Sequence, residues 1–221
     1  MEITVSVRGL RLLTRAVLYL TGGVCFGQSF SVGVIGGARF PDDLSGAGAT
    51  GASKRYVVGP ALDIGLPHGF GVEAGALYRR EGYQSSFSNF AYSIFSDQRA
   101  NSWEFPLLLK YRLPFRAARP FLEAGYAPRV IHGSISSDYV QLFPALLPPQ
   151  HSTHGTDWPI SHGLVVGGGV SFRAGRLRLS PGLRYTHWNN SAISGVYGDG
   201  PSWQSTQDQV DMLFGVTWGI R

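Results

Sequence analysis

The sequence predicts an all-β fold, an eight-stranded antiparallel up-and-down transmembrane β-barrel, and three observations carry that prediction. Residues alternate with period two in eight separate stretches. The gaps between those stretches alternate long and short. The chain also carries few charges, 15% against roughly 25% in soluble domains. Yet past its N-terminal segment it has no uninterrupted apolar run of the roughly 20 residues that a membrane helix needs. A mean hydropathy of +0.00 fits strands, whose two faces average out.

The first stretch sets Phe30, Val32, Val34, Gly36, Ala38 and Phe40 against Ser31, Gly33, Ile35, Gly37 and Arg39. The second sets Tyr56, Val58, Pro60, Leu62, Ile64 and Leu66 against Val57, Gly59, Ala61, Asp63 and Gly65. In the third, Phe70, Val72, Ala74, Ala76 and Tyr78 alternate with Gly71, Glu73, Gly75, Leu77 and Arg79. The fourth is the clearest: Trp103, Phe105, Leu107, Leu109, Tyr111 and Leu113 alternate with Ser102, Glu104, Pro106, Leu108, Lys110 and Arg112. The fifth opposes Leu122, Ala124 and Tyr126 to Glu123, Gly125 and Arg129. The sixth opposes Leu164, Val166, Val170 and Phe172 to Val165, Gly167, Gly169 and Ser171. The seventh opposes Leu177, Leu179, Leu183 and Tyr185 to Arg178, Ser180, Gly182 and Arg184. The last opposes Val210, Met212, Phe214, Val216, Trp218 and Ile220 to Gln209, Asp211, Leu213, Gly215 and Thr217. Each stretch has about the 9–11 residues that cross a bilayer at a tilt.

Size assigns the faces. Eight strands enclose about enough room for side chains alone, so the small and charged face lies inside and the bulky apolar face meets lipid. The gaps at 41–53, 84–99, 132–160 and 189–206 are long, and those at 67–69, 114–118 and 174–175 are short. Membrane barrels have short periplasmic turns and long external loops, which puts the first and last strand ends on the periplasmic side and four loops outside. Phe40, Tyr56, Tyr78, Trp103, Tyr185 and Trp188 then fall near the loops, and Phe30, Phe70, Tyr111, Phe172 and Trp218 near the turns, as two interfacial girdles. Pro60, Pro106, Pro128 and Pro181 fall within strands and are expected at bulges.

Residues 1–27 read as a secretory signal and 28–221 as the barrel domain. Arg8, Arg11 and Arg15 form a basic start, Ala16 to Phe26 is mostly apolar, and Gly22-Gly23 would break a helix before a cleavage site at 25–27. Cleavage would remove three arginines and Glu2, lowering the net charge from +5 to +3, too mild and too scattered for nucleic acid. It would also remove Cys25, the only cysteine, and with it disulfides, thiol catalysis and cysteine-ligated metal.

The chain resembles the bacterial outer-membrane β-barrel domain family, the small OmpA-like and porin-like eight-stranded barrels, from about Ser29 to the C-terminus. The resemblance rests on the stretches Val58-Gly59-Pro60-Ala61-Leu62, Val72-Glu73-Ala74-Gly75-Ala76-Leu77-Tyr78 and Trp103-Glu104-Phe105-Pro106-Leu107-Leu108-Leu109-Lys110-Tyr111. Pro120-Phe121-Leu122-Glu123-Ala124-Gly125 and Leu183-Arg184-Tyr185 add to it. It implies location in the outer membrane of a Gram-negative-type envelope. The partners implied are outer-membrane lipids, lipopolysaccharide and the barrel insertion machinery, around a monomer.

The inward register collects Asp63, Glu73, Glu104, Glu123 and Asp211 with Arg79, Lys110, Arg112, Arg129, Arg178 and Arg184. Buried charges persist only when paired and hydrogen-bonded, so a salt-bridge plug is expected, with a narrow solute channel as the alternative. Catalysis by paired carboxylates would need a water-accessible cleft, which the pattern does not imply. Lipid A deacylases carry a His followed two residues later by a nucleophilic Ser. Tyr185-Thr186-His187-Trp188-Asn189-Asn190-Ser191 is similar around His187, but Asn189 stands where the serine belongs. His151 and His154 lack a well-spaced third metal ligand, and no helix is expected after Gly167-Gly168-Gly169 to make it a phosphate loop. The expectation is a non-enzymatic barrel without metal or cofactor, acting in envelope structure or through its four loops.

Overall fold

Eight antiparallel strands run round a ring, each bonded to its neighbours in sequence. In the computed structural model they are Ser29–Phe40, Tyr56–Gly65, Phe70–Gly75 resumed as Leu77–Ser88, and Tyr92–Glu104 resumed as Leu107–Arg112. Ala118–Gln141, Ser161–Ala174, Leu177–Trp188 and Asp208–Ile220 complete the wall. The first strand pairs with the eighth from Phe30↔Ile220 to Phe40↔Val210, which closes the ring. The structure describes residues 29–40, 44–46, 49–115, 118–144, 146–191, 194–195 and 203–220, so the expected export signal over 1–27 lies outside the described residues.

The pleat sorts the side chains as the alternation predicts. Val34, Leu107, Leu109, Leu122, Leu164, Leu183 and Met212 are exposed on the outer wall, while Ser31, Leu108, Val165 and Leu213 are buried inside. An apolar surface that circles the whole barrel far exceeds the few hundred Å² that a soluble monomer tolerates, so lipid covers it. Among the described residues no helix is long and apolar enough to cross a membrane; the strands do so. Leu107→Arg, at mid-wall, should therefore cost about 2–4 kcal/mol, whereas Ser102→Asn on the inner face should cost far less. Reversible unfolding in lipid vesicles measures both, and a neutral Leu107→Arg would invert the assignment of the two faces.

The girdle residues form contacts across strands. Tyr56, Tyr78 and Trp103 line up on the second, third and fourth strands, with ring centroids 6.5 and 5.2 Å apart. Nearer the turns, Phe70 meets Tyr111 at 5.0 Å. Phe40, Tyr185, Phe172 and Trp218 also face outward. Trp188 does not: it is 0% exposed, and this corrects the girdle assignment. The seventh strand reaches Trp188 in unbroken pairing with the sixth, so it shares the inward parity of Arg184 and Thr186.

Two of the expected loops are largely strand. The third and fourth strands continue upward to a tip at Ser88 and Tyr92, and the fifth runs on to Gln141 and pairs with Gln150–Asp157. A sheet therefore projects past the barrel over much of 84–99 and 132–160, where the sequence predicts irregular loops. Above the bilayer the outer face of a strand meets water instead of lipid, and the buried inner face carries polar residues such as Ser85, Ser96 and Gln98, so the apolar alternation that marks a lipid-crossing segment disappears from the sequence. The other two long gaps contain short strands: Leu44–Gly46 pairs with Trp203–Ser205, and Ala49–Gly51 with the third strand.

The prolines sit in continuous register, which corrects the expectation of bulges. No residue is inserted between Ala61↔Gly75 and Val58↔Tyr78, or between Ala74↔Leu107 and Leu77↔Glu104. Each proline only removes one donor, while its carbonyl still accepts: Ala76 N donates to Pro60 O at 3.1 Å, Gly75 N to Pro106 O at 3.0 Å and Phe105 N to Pro128 O at 2.9 Å. Pro181 likewise keeps its place opposite Phe214. At the opposite end from the projecting sheet, Gly175 supplies the positive φ of +62° for the tight connection between the sixth and seventh strands.

Candidate functional site: a tiered charge network in the lumen

Alternation sends one charged side chain after another into a bore too narrow for water to solvate them. They pair instead, in three tiers.

The tier nearest the short turns holds Asp63 between two guanidinium groups. Arg178 Nη1 donates to Asp63 Oδ1 at 3.0 Å, and Arg112 Nη2 donates to the other carboxylate oxygen. The middle tier is a closed square. Lys110 Nζ lies 2.5 Å from Glu73 and 3.1 Å from Glu123, and Arg184 reaches Glu73 and Glu123 at 2.9 Å each. Two acids and two bases on the third, fourth, fifth and seventh strands thus tie the bore from wall to wall. Lys110 Nζ also stands 4.7 Å from the centre of the Phe121 ring. A cavity of 20 Å³ remains beside the square, about enough for one water. Arg184, which lines this cavity, has an Nη1 without a protein partner among the described residues.

The upper tier is larger. Arg79 bridges Glu104 at 2.9 Å and Asp211 at 3.1 Å. Gln209 donates to Asp211 at 2.5 Å and accepts from Arg39 at 2.7 Å and from the Trp188 indole N–H at 2.9 Å. The Arg129 guanidinium lies 3.9 Å over the Trp188 ring, a cation–π contact, and 3.9 Å from Glu81. Arg39 sits 3.8 to 4.0 Å from Glu81, Glu104 and Asp211. This tier balances three acids against three bases.

All eleven lumen residues read from the sequence therefore enter the network, joined by Arg39 and Glu81. The signal for these two is present in the chain. Arg39 has inward parity on the first strand, and Glu81 continues the series Leu77, Arg79 past the point where the apolar alternation of the third stretch ends. Trp188 and Gln209 belong here too. The barrel wall around the network is closed by backbone pairing, so the charges are screened by one another and hardly by salt.

Outside the lumen, His187 faces outward at the loop end, and its Nδ1 lies 2.7 Å from Asp208 Oδ1. Asp208 also accepts from the Tyr185 hydroxyl at 2.6 Å. A histidine with an acidic partner is two of the three members of a nucleophilic triad. Among the described residues no hydroxyl nucleophile is bonded to His187: Asn189 Oδ1 accepts from the His162 backbone, and Ser191 Oγ donates to Gln204 at 3.4 Å. His151 bonds to Asp138 at 2.6 Å in the projecting sheet, and among the described residues no three potential ligands cluster to hold a metal. The sixth strand runs unbroken through Gly167-Gly168-Gly169, so no phosphate loop forms there.

Comparison with known proteins identifies the family. No curated protein matches the chain. Among solved structures, the chain is similar to a major outer membrane protein from Thermus thermophilus, at 12% identity over 88% of this chain and 100% of that one, with a TM-score of 0.48. OprG from Pseudomonas aeruginosa matches at 14% identity over 88% and 95%, TM-score 0.47, and neisserial surface protein A at 13% over 87% and 98%, TM-score 0.41. The family model described as outer membrane protein beta-barrel domain matches residues 21–187, most of the chain. With an eight-stranded ring, a lipid-facing outer wall and that match, the chain belongs to the outer membrane protein β-barrel domain family and resides in the outer membrane.

Proposed function

We propose that this protein is a closed, non-conducting, non-enzymatic barrel that anchors its projecting sheet outside the cell and works by structural or surface contact. The observation that carries this is the middle tier, where Glu73, Lys110, Glu123 and Arg184 pair across the bore from wall to wall, with a cavity of 20 Å³ beside them. A hydrated ion does not pass such a constriction unless the pairs separate, and separating buried pairs costs several kcal/mol. Above the bilayer the hairpin of the third and fourth strands and the extended fifth strand offer ordered backbone and exposed apolar side chains. Phe90 at the tip is 83% exposed. In this reading the barrel is a monomer, delivered by the barrel insertion machinery, with its outer wall against lipid and lipopolysaccharide.

Planar-bilayer recording tests it. Purified wild-type protein should give no stable openings at moderate voltage and ordinary salt. Steady, large, solute-permeable openings would replace the plug with the channel reading.

A further inference from the structure

The charge balance that holds in the upper and middle tiers fails at the end of the barrel with the short turns. There a cavity of 380 Å³ opens between the lumen and the outer rim. Arg112, Arg119, Arg173 and Arg178 line it, one from each of the fourth to seventh strands. Among the described residues no carboxylate lines it, and the nearest acid partner, Asp63, is already shared by Arg112 and Arg178. The other two guanidinium groups bond neutral backbone: Arg119 Nε donates to Phe115 O and Arg173 Nε to Gly175 O, each at 3.2 Å. Arg173 stands directly opposite Arg178 in the strand register, a like-charge pairing that destabilises a sheet on its own. Four cations facing one shared anion leave this mouth strongly positive.

The other wall of the cavity is apolar. Phe70, Tyr111 and Phe115 form it, and Phe70 and Tyr111 belong to the outward girdle at this end. A site with a guanidinium side and an aromatic side opening onto the membrane surface fits a ligand that is anionic at one end and apolar at the other. Arginine forks match phosphate oxygens in pairs. We propose that this vestibule binds the phosphodiester headgroup of an anionic phospholipid of the periplasmic leaflet, with its acyl chains against Phe70 and Tyr111. The bound phosphate supplies the negative charge that the sequence omits, and offsets the repulsion between Arg173 and Arg178.

Native mass spectrometry of the full protein, released from micelles doped equally with phosphatidylglycerol and phosphatidylcholine, reads the retained lipid directly. The wild type should keep phosphatidylglycerol in clear preference. At about 1 kcal/mol per arginine near an anionic surface, Arg119→Gln or Arg173→Gln alone should weaken that preference about fivefold, and the pair roughly thirtyfold. Both side chains are exposed and bond backbone carbonyls near their own turns, so the fold is not at stake. Arg80→Gln, at the other end of the barrel, removes the same charge and should change nothing. Equal retention of both lipids by the wild type, or an unchanged preference in the double variant, would overturn the proposal. So would displacement of phosphatidylglycerol by millimolar inorganic phosphate, because the site would then read phosphate alone.

Discussion

Arg184→Leu should lower stability by about 3–5 kcal/mol, the cost of breaking a buried ion pair from one side, and should admit ions to the lumen. Arg184 holds Glu73 Oε1 and Glu123 Oε1 together, each at 2.9 Å. Without it, two carboxylates remain with Lys110 alone in a site shielded from water. A second change, Glu123→Gln, removes the surplus negative charge. The double variant should therefore be more stable than Arg184→Leu alone, with a strongly non-additive cycle. Unfolding in urea from lipid vesicles gives the energies, and planar-bilayer current gives the leak. If Arg184→Leu unfolds like the wild type and stays silent, the middle tier neither ties nor seals the barrel.

Trp188→Ala should cost about 3–5 kcal/mol, the range for truncating a fully buried large aromatic. The loss goes beyond volume. Gln209 Oε1 would lose the indole donor, and Arg129 would lose the ring that covers its guanidinium face. Tyr185→Ala, three residues earlier on the outward face, removes a side chain that lipid and headgroups already touch and should cost much less. Equal losses for the two variants would return Trp188 to the interfacial ring.

That contrast also shows what is legible in the sequence. Parity alone puts Trp188 inward with Arg184. A girdle reading lets residue type override register, although no proline or glycine between Tyr185 and Trp188 could shift the register. Glu81 escapes notice for a related reason: beyond Arg79 the apolar half of the alternation gives way to Arg80, Gly82 and Gln84, since lipid no longer demands it. The strand continues there on backbone pairing, which leaves no hydropathic trace. Wherever one face meets lipid and the other the bore, in contrast, the alternation suffices to place Asp63, Glu73, Lys110 and Glu123 correctly. The pairing within tiers is not legible, because it depends on the stagger between strands. Neither is the vestibule, which comes from four arginines on four different strands.

The prolines on the second, fourth and fifth strands have a consequence for how the barrel breathes. Pro60, Pro106 and Pro128 lie along one diagonal of the sheet, each replacing a ladder donor where the neighbouring strand offers a carbonyl. The junction of the first and eighth strands, by comparison, is paired without interruption from Phe30 to Phe40. Amide protons should record the difference: those flanking the diagonal, at Ala76 and Phe105, should exchange with deuterium earlier than those of Val34 and Val216 in the closing junction. A ring with such a line of missing donors yields across its middle, so the seam between the first and eighth strands need not be its weakest join.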